Sequence, residues 1–426
     1  MAATPPASPA FRTRGQPAAV AAVTAMLGGG MPHALLLAGP AGVGKSTLAE
    51  DIAAGLLCRT EDRGSRPCRE CRACRALQHG NHPDLHRLVP TGAGLVIPIG
   101  GREERGVRDL VRDLSLHPVE GGMRVAIVTA ADRMTEDAQS AFLKTLEEPP
   151  ARTVLILTAA DEERLLPTIR SRCVRLRLGP VPRPDVEQIL VEAGLVDAPL
   201  AARLARLSAG RPGDAVALAR APESLAIRGE IARTLLDLAA AHRADRLRIG
   251  RDLLARAAEL SAGIRRAAES SEPGPPVQRR PPRGRKGGAE RAPSTVEPAA
   301  EADGAVPAAR VPAAERRAAA LTLVVIWRDV ARDLALVGLG EHVVVRQADL
   351  LDDLEAAAQR LSVPFAAAQL HRLDVAGERL EGNVSPELVI DALAVGWATA
   401  AKARARGDGA RARADARVRP ARAGAA

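Results

Sequence analysis

"GPAGVGKST" (residues 39–47) decides the fold. It fits the pattern G-x-x-x-x-G-K-[S/T] in full, from Gly39 through Gly44 to Lys45 and Ser46. The apolar run "ALLLA" stands before it and the helix-forming run "STLAEDIAAGLL" after it. In a strand–glycine loop–helix unit the backbone N–H groups curl round an anion at the helix N-terminus, where the helix dipole also favours negative charge. The candidate nucleotide-binding residues are therefore Gly39, Gly42, Val43, Gly44, Lys45, Ser46 and Thr47. Lys45 is expected to reach the β- and γ-phosphates of ATP, and Ser46 to hold Mg²⁺. Two plainer readings stand beside this one. The stretch is a glycine turn of an α/β protein, or a loop that keeps its shape and no longer takes a nucleotide.

Outward from the loop, the first part of the chain alternates strands and helices. "ALLLAGP" (34–40), "RVAIVTA" (124–130) and "TVLILTAA" (153–160) are short continuous apolar runs, the mark of buried parallel strands. "DAQSAFLKTLEEPP" (137–150) is a helix pattern stopped by two prolines. The alternation predicts a parallel sheet with helices on both faces, over residues 1–178. The next part is helical without strands: a small lid at 179–222 and a larger all-helical domain at 223–400. A segment rich in Pro, Gly and charge, about 268–312, interrupts that larger domain and reads as a disordered insertion, and so does the basic tail 401–426.

Composition narrows the classes of function. The chain has 426 residues, enough for two or three domains, and only 1% of them are aromatic. Its net charge of +9 is concentrated in the tail, where eight Lys/Arg and two Asp contribute +6. The folded body is close to neutral and poor in aromatics for stacking on bases, which weakens a direct nucleic-acid-binding role. No apolar run is long enough to cross a bilayer. "AAVAAVTAML" faintly imitates a signal peptide but leads straight into the loop, and reads as a first helix. A cytoplasmic protein is the expectation.

Cys58, Cys68, Cys71 and Cys74 follow the spacing C-x9-C-x2-C-x2-C, immediately after the loop helix. Paired C-x2-C thiolates suit tetrahedral Zn²⁺, and four soft ligands leave no open position, so a structural ion is expected. An iron–sulfur or redox role and plain free thiols are the alternatives. Nearby His79 and His82 read as structural residues.

The loop, the four-cysteine module (58–74), "HPDL" (82–85), "AFLKTLEEPP" (141–150) and "SRC" (171–173), in this order and spacing, resemble the bacterial clamp-loader AAA+ subunits of DNA polymerase III. The resemblance covers most of residues 10–265 and resumes more weakly toward residue 400, at "LEGNVSPELVIDALAV" (380–395). It implies an AAA+ nucleotide domain, a helical lid and a helical collar that joins subunits into a hetero-pentamer. The partners it implies are gamma/tau and delta subunits, a sliding clamp and primed DNA.

Within that family the motor subunits end the strand after the zinc module in Asp-Glu. Laid on that pattern, "VAIVTAADRMT" (125–135) puts Thr129 at the Asp and Ala130 at the Glu. Neither side chain supplies a negative charge for Mg²⁺ or orients a water. Asp132 lies too far along the turn to be the same carboxylate. The lid arginine of the motor is also absent: Gly213 of "AGRPGDAVAL" takes its place, with Arg211 two residues off. Arg172 of "IRSRC" matches the arginine finger that reaches a neighbour's ATP, a surface salt bridge being its plain alternative. Thr158 falls where the family has a nucleotide-sensing polar side chain. These departures resemble the delta-prime branch: a stator within the DNA polymerase III holoenzyme, itself a weak or inactive ATPase. The alternative inside the family is the ATP-hydrolysing gamma/tau motor. Outside it stand a P-loop kinase or nucleotidase and a zinc-dependent nucleic-acid binder.

Overall fold

The computed structural model describes residues 10–91, 96–101, 104–120, 122–269, 312–382 and 384–397. The expected insertion and the basic tail lie, but for a few edge residues, outside them.

Five parallel strands form one sheet: β1 (Ala34–Ala38), β2 (Leu85–Leu88), β3 (Arg124–Val128), β4 (Thr153–Ala159) and β5 (Val174–Arg177), in the spatial order β2-β3-β4-β1-β5. Alternation sorts their side chains. Leu35, Leu37, Val125, Ile127, Val154 and Ile156 enter one core, and Leu36, Ala126, Val128, Leu155 and Leu157 the other. The first face is covered by α1 (Pro17–Gly29), α2 (Lys45–Leu57) and α3 (Arg72–Gln78). The second is covered by α4 (Val107–Ser115), α5 (Glu136–Glu147) and α6 (Pro167–Arg172). Burial on both faces is why β1, β3 and β4 carry unbroken apolar runs, while the edge strands β2 (LHRL) and β5 (VRLR) do not.

One strand is shorter than its apolar run. The run continues through Thr129 and Ala130, but β3 stops at Val128. Ala130 adopts left-handed backbone (φ 51°), and a short 3-10 turn follows at Ala131–Arg133. Strand β2, inside the region the resemblance covers, has three half-buried residues and one buried one, because it is an edge.

Three helices, α7 (Arg183–Glu192), α8 (Ala198–Ser208) and α9 (Pro212–Arg220), close a small core of their own around Val186, Leu190, Leu204 and Ala215. Six more share a single hydrophobic core: α10 (Pro222–Leu238), α11 (Arg243–Glu269), α12 (Ala313–Gly338), α13 (Leu351–Ala358), α14 (Val363–Glu381) and α15 (Pro386–Gly396). Both tryptophans of the chain are here. Trp397 meets Trp327 and Phe365 edge-on, at 5.3 and 5.6 Å between ring centres, and its indole N–H donates to the Leu235 carbonyl at 3.1 Å. No described helix is long and apolar enough to cross a membrane.

Candidate nucleotide site and cysteine cluster

The loop connects β1 to α2 at the C-terminal edge of the sheet, beside the ends of β3 and β4, which is where open parallel sheets place ligands. Gly39 has φ 145°, and a Cβ there would lie 2.1 Å from the Leu178 carbonyl, so this position accepts glycine alone. Gly44 caps α2 in the left-handed region. A cavity of about 370 Å³ opens over Gly42, Val43, Gly44, Lys45, Ser46 and Thr47. Its other walls are Arg12, Thr13 and Arg14 from the N-terminal segment, Ile189 of α7, and Pro212, Gly213 and Val216 of α9. Val43 contributes backbone to the cavity, while its side chain is buried in the sheet core.

Lys45 is folded against its own loop: Nζ donates to the carbonyls of Gly39 and Pro40, both at 2.6 Å. Burial pushes its pKa down, partly countered by the charge of Asp132. The two carbonyls hold the ammonium near the anion site without neutralising it.

Helix α9 rests directly on the loop. The Gly213 amide donates to the Gly42 carbonyl at 2.9 Å, and a Cβ on Gly213 would lie 3.1 Å from the Gly42 Cα. In this arrangement an arginine at 213 would fit only if loop or lid moved. Arg211, the N-cap of α9, is turned away onto local partners, with Nε 3.1 Å from the Ser208 carbonyl at the end of α8 and 3.0 Å from Asp214 of α9.

At the end of β3 the polar groups serve the backbone. The Thr129 amide donates to the Leu88 carbonyl at 2.9 Å, and the Ala130 amide to the Thr158 hydroxyl at 3.0 Å. Thr158 is buried and stands off the cavity wall, so its visible role is to hold the turn after β3. Asp132 accepts the amides of Ala160 and Asp161 at 3.2 Å each, which ties the exits of β3 and β4 together. Positions 129 and 130 thus carry no carboxylate; Asp132 uses Oδ2 for these two amides, while its buried Oδ1 has no hydrogen-bond partner among the described residues.

Arg172 ends α6 with its side chain 35% exposed, 2.6 Å from Glu147 and 3.1 Å from the Thr168 carbonyl. The plain salt bridge is therefore present in the single chain. A pair this exposed is worth about 0–1 kcal/mol, so it opposes a move toward another partner only weakly. Arg172 does not line the chain's own cavity.

Cys58 is the C-cap of α2, and Cys71 is the N-cap of α3. Their sulfurs and those of Cys68 and Cys74 all lie within 4.8 Å of one another, with Cys58–Cys68 at 3.5 Å and Cys58–Cys71 at 3.9 Å. A tetrahedron with metal–sulfur bonds of about 2.3 Å has sulfur–sulfur edges of roughly 3.8 Å, so the four thiols fit one ion. The Cys71 and Cys74 amides point at the Cys68 and Cys71 sulfurs, at 3.4 and 3.5 Å. Burial pushes the Cys68 thiol up, but hydrogen bonds from Thr60 and from the Cys71 and Glu70 amides outweigh it and bring the pKa to about 6. His79 caps α3 through its backbone. His82 is buried, with Nδ1 accepting the Asp84 amide at 3.1 Å. Neither belongs to the four-ligand group.

Sequence reasoning missed Asp51. It is fully buried on α2 and accepts the backbone amides of Arg12 and Thr13 and the Thr13 hydroxyl. The signal was available: a carboxylate on the same helical face as Leu48, Ile52 and Gly55 must find partners.

Residues 15–182 match the family described as DNA polymerase III, delta subunit. The chain is 38% identical over 187 residues to the DNA polymerase III subunit delta' of Escherichia coli, covering 44% of this chain and 54% of that protein. It is 40% identical over 182 residues to the delta' subunit of Pseudomonas aeruginosa, covering 42% and 53%. The Escherichia coli subunit tau is 31% identical over 195 residues, covering 45% of this chain and 29% of that protein. The matches span about half the length of the delta' relatives.

Proposed function

We propose that this chain, a relative of the DNA polymerase III delta' subunits over residues 15–182, is a stator-type subunit of a clamp loader. In this reading it joins gamma/tau and delta subunits in a cytoplasmic hetero-pentamer. It supports those subunits while ATP drives a sliding clamp onto primed DNA, as part of the DNA polymerase III holoenzyme. The boundaries at about 178 and 222 divide an AAA+ domain, a lid and a collar. Cys58, Cys68, Cys71 and Cys74 hold a structural Zn²⁺, whose four thiolates leave no place for a substrate.

One observation carries the reading: a complete phosphate loop faces a strand end without carboxylates. Gly39, Gly42, Gly44, Lys45, Ser46 and Thr47 retain what binding ATP and Mg²⁺ requires. Thr129 and Ala130 lack what hydrolysis requires, and Gly213 leaves the lid without a phosphate-directed arginine while packing on Gly42. Arg172 sits on the surface, held by one weak ion pair, and acts as the finger for the ATP of a neighbouring subunit. Its planar, permanently charged fork suits the charge that develops on a transferring phosphoryl group. Thr158 takes part only through the turn after β3.

The test is steady-state phosphate release. The purified chain, alone and with DNA and clamp, is expected to turn over ATP at near-background rates, and vigorous hydrolysis by the isolated chain would sink the stator reading. Arg172→Ala is expected to leave the chain folded and to slow hydrolysis by the reconstituted complex by about 10³-fold at the site it serves. An unchanged rate there removes the finger assignment.

A further inference from the structure

The cysteine cluster and the nucleotide cavity are joined by a single buried carboxylate. Asp51 lies on α2 between the two, with no exposed surface. One of its oxygens takes the Arg12 amide at 3.0 Å, the Thr13 amide at 2.8 Å and the Thr13 hydroxyl at 2.6 Å. The other takes the Arg69 guanidinium. Arg69 lies between Cys68 and Cys71, in left-handed backbone (φ 63°) that a non-glycine residue adopts only when its surroundings hold it there. Its Nε also donates to the Ala10 carbonyl at 2.9 Å, and the Ala10 amide donates to the Pro67 carbonyl at 3.0 Å. Residues 10–13 are thus gripped from one side by the cysteine module and from the other by α2. At and just after that grip, Arg12, Thr13 and Arg14 form a wall of the nucleotide cavity, and the Gln16 side-chain Nε2 donates to the Gly179 carbonyl at 2.6 Å.

We infer that Arg69 and Asp51 are positioning residues for the nucleotide site: the metal-held cysteine module uses them to keep the N-terminal segment against the cavity, so metal occupancy and nucleotide affinity are linked. The inference rests on the proposal that the loop takes ATP. The physical reason is that a buried carboxylate needs a countercharge. The guanidinium that supplies it can stay aligned only while the short loop between Cys68 and Cys71 keeps its shape. When that loop loosens, Asp51 draws water and the amides it holds are released. Because free energies of binding are reciprocal, anything that loosens the segment weakens the ligand it walls in, and the ligand in turn tightens the segment.

The experiment uses the full chain. Hydrogen exchange is measured at the Arg12 and Thr13 amides without nucleotide, and ATP·Mg²⁺ is titrated by calorimetry, for wild type, Arg69→Ala and Arg69→Lys. Wild-type protein treated with a metal chelator is the fourth sample, and it keeps the test open if Arg69→Ala folds poorly. Arg69→Ala and chelation are expected to speed exchange at both amides at least tenfold and to weaken ATP severalfold. Arg69→Lys, which restores the charge, is expected to recover part of both, a rescue that a purely steric role would not give. Unchanged exchange in Arg69→Ala and after chelation overturns the inference. So does faster exchange with undiminished ATP affinity. A wild type that binds no ATP refutes the nucleotide reading itself and the coupling with it, and is told apart because it fails before any substitution is made.

Discussion

The two ends of α2 carry two different kinds of site. Its N-terminus closes the phosphate loop, and its C-cap is Cys58 of the cysteine cluster. The helix is about 20 Å long, and the positive end of its dipole favours an anion at the loop. The cluster is complete by itself, since its four ligands come from 17 consecutive residues and their sulfurs converge to within 4.8 Å. The loop is complete only as a cradle. In the proposed reading, what hydrolysis adds would come from the end of β3 and from α9, where Thr129, Ala130 and Gly213 stand. A site built from one local stretch is kept or lost as a unit. One assembled from several elements can lose its chemistry while keeping its shape.

The comparison can be broken first at the cluster, where the largest effect is expected. Cys71→Ser should reduce metal content from about one ion per chain to none. Because apparent binding free energies for structural zinc reach about 10 kcal/mol or more, it should cost the first domain several kcal/mol of stability. Elemental analysis and hydrogen exchange over α2, α3 and β2 would register this. Tryptophan emission should barely move, because Trp327 and Trp397 both lie in the separate core shared by α10–α15. Metal-free protein from a chelator-free purification would end the structural-ion reading.

At the other end of the helix the expected effect is confined to binding. Lys45→Ala removes the one ammonium of the loop and should weaken ATP by about 3 kcal/mol, roughly 100-fold, with metal content unchanged. Equal calorimetric titrations for the variant and wild type would mean that the loop keeps its shape without using its lysine.

The smallest effect sharpens the contrast. Thr129→Asp with Ala130→Glu restores both carboxylates on a strand end whose amides stay bonded. A missing catalytic carboxylate commonly costs about 10²–10⁴ in rate, yet this double variant should gain less than tenfold in phosphate release. The reason is that Gly213 still packs on Gly42, and Lys45 remains the only cation of the loop. A return to motor-like turnover would show that the carboxylates alone separate the two subunit types.

The sequence was most legible where function and local structure coincide. The loop announced itself by glycines whose backbone no other residue can follow, and the cluster by cysteine spacing. The three central strands were legible because strands buried on both faces must be continuously apolar; the edge strands β2 and β5, less buried and carrying arginines, gave no such run. The strand after the cluster was misjudged by two residues: apolar character runs to Ala130, while the ladder ends at Val128, where a left-handed residue turns the chain. Thr158 stands out by its family position as a nucleotide-sensing residue; the fold adds that its hydroxyl accepts the Ala130 amide.

By itself the sequence determined three of the five strands, the four closely spaced cysteines, the glycine loop and the absence of carboxylates at positions 129 and 130, since each of these is a property of residues adjacent in the chain. Tertiary structure alone decided that Gly213 touches the loop, that Arg172 pairs with Glu147, and that Asp51 binds the N-terminal segment to the cysteine module. These contacts join residues 18 to 171 positions apart. No local pattern encodes them, because which buried charge meets which partner is settled only when the sheet, the lid and the cysteine module have closed on one another.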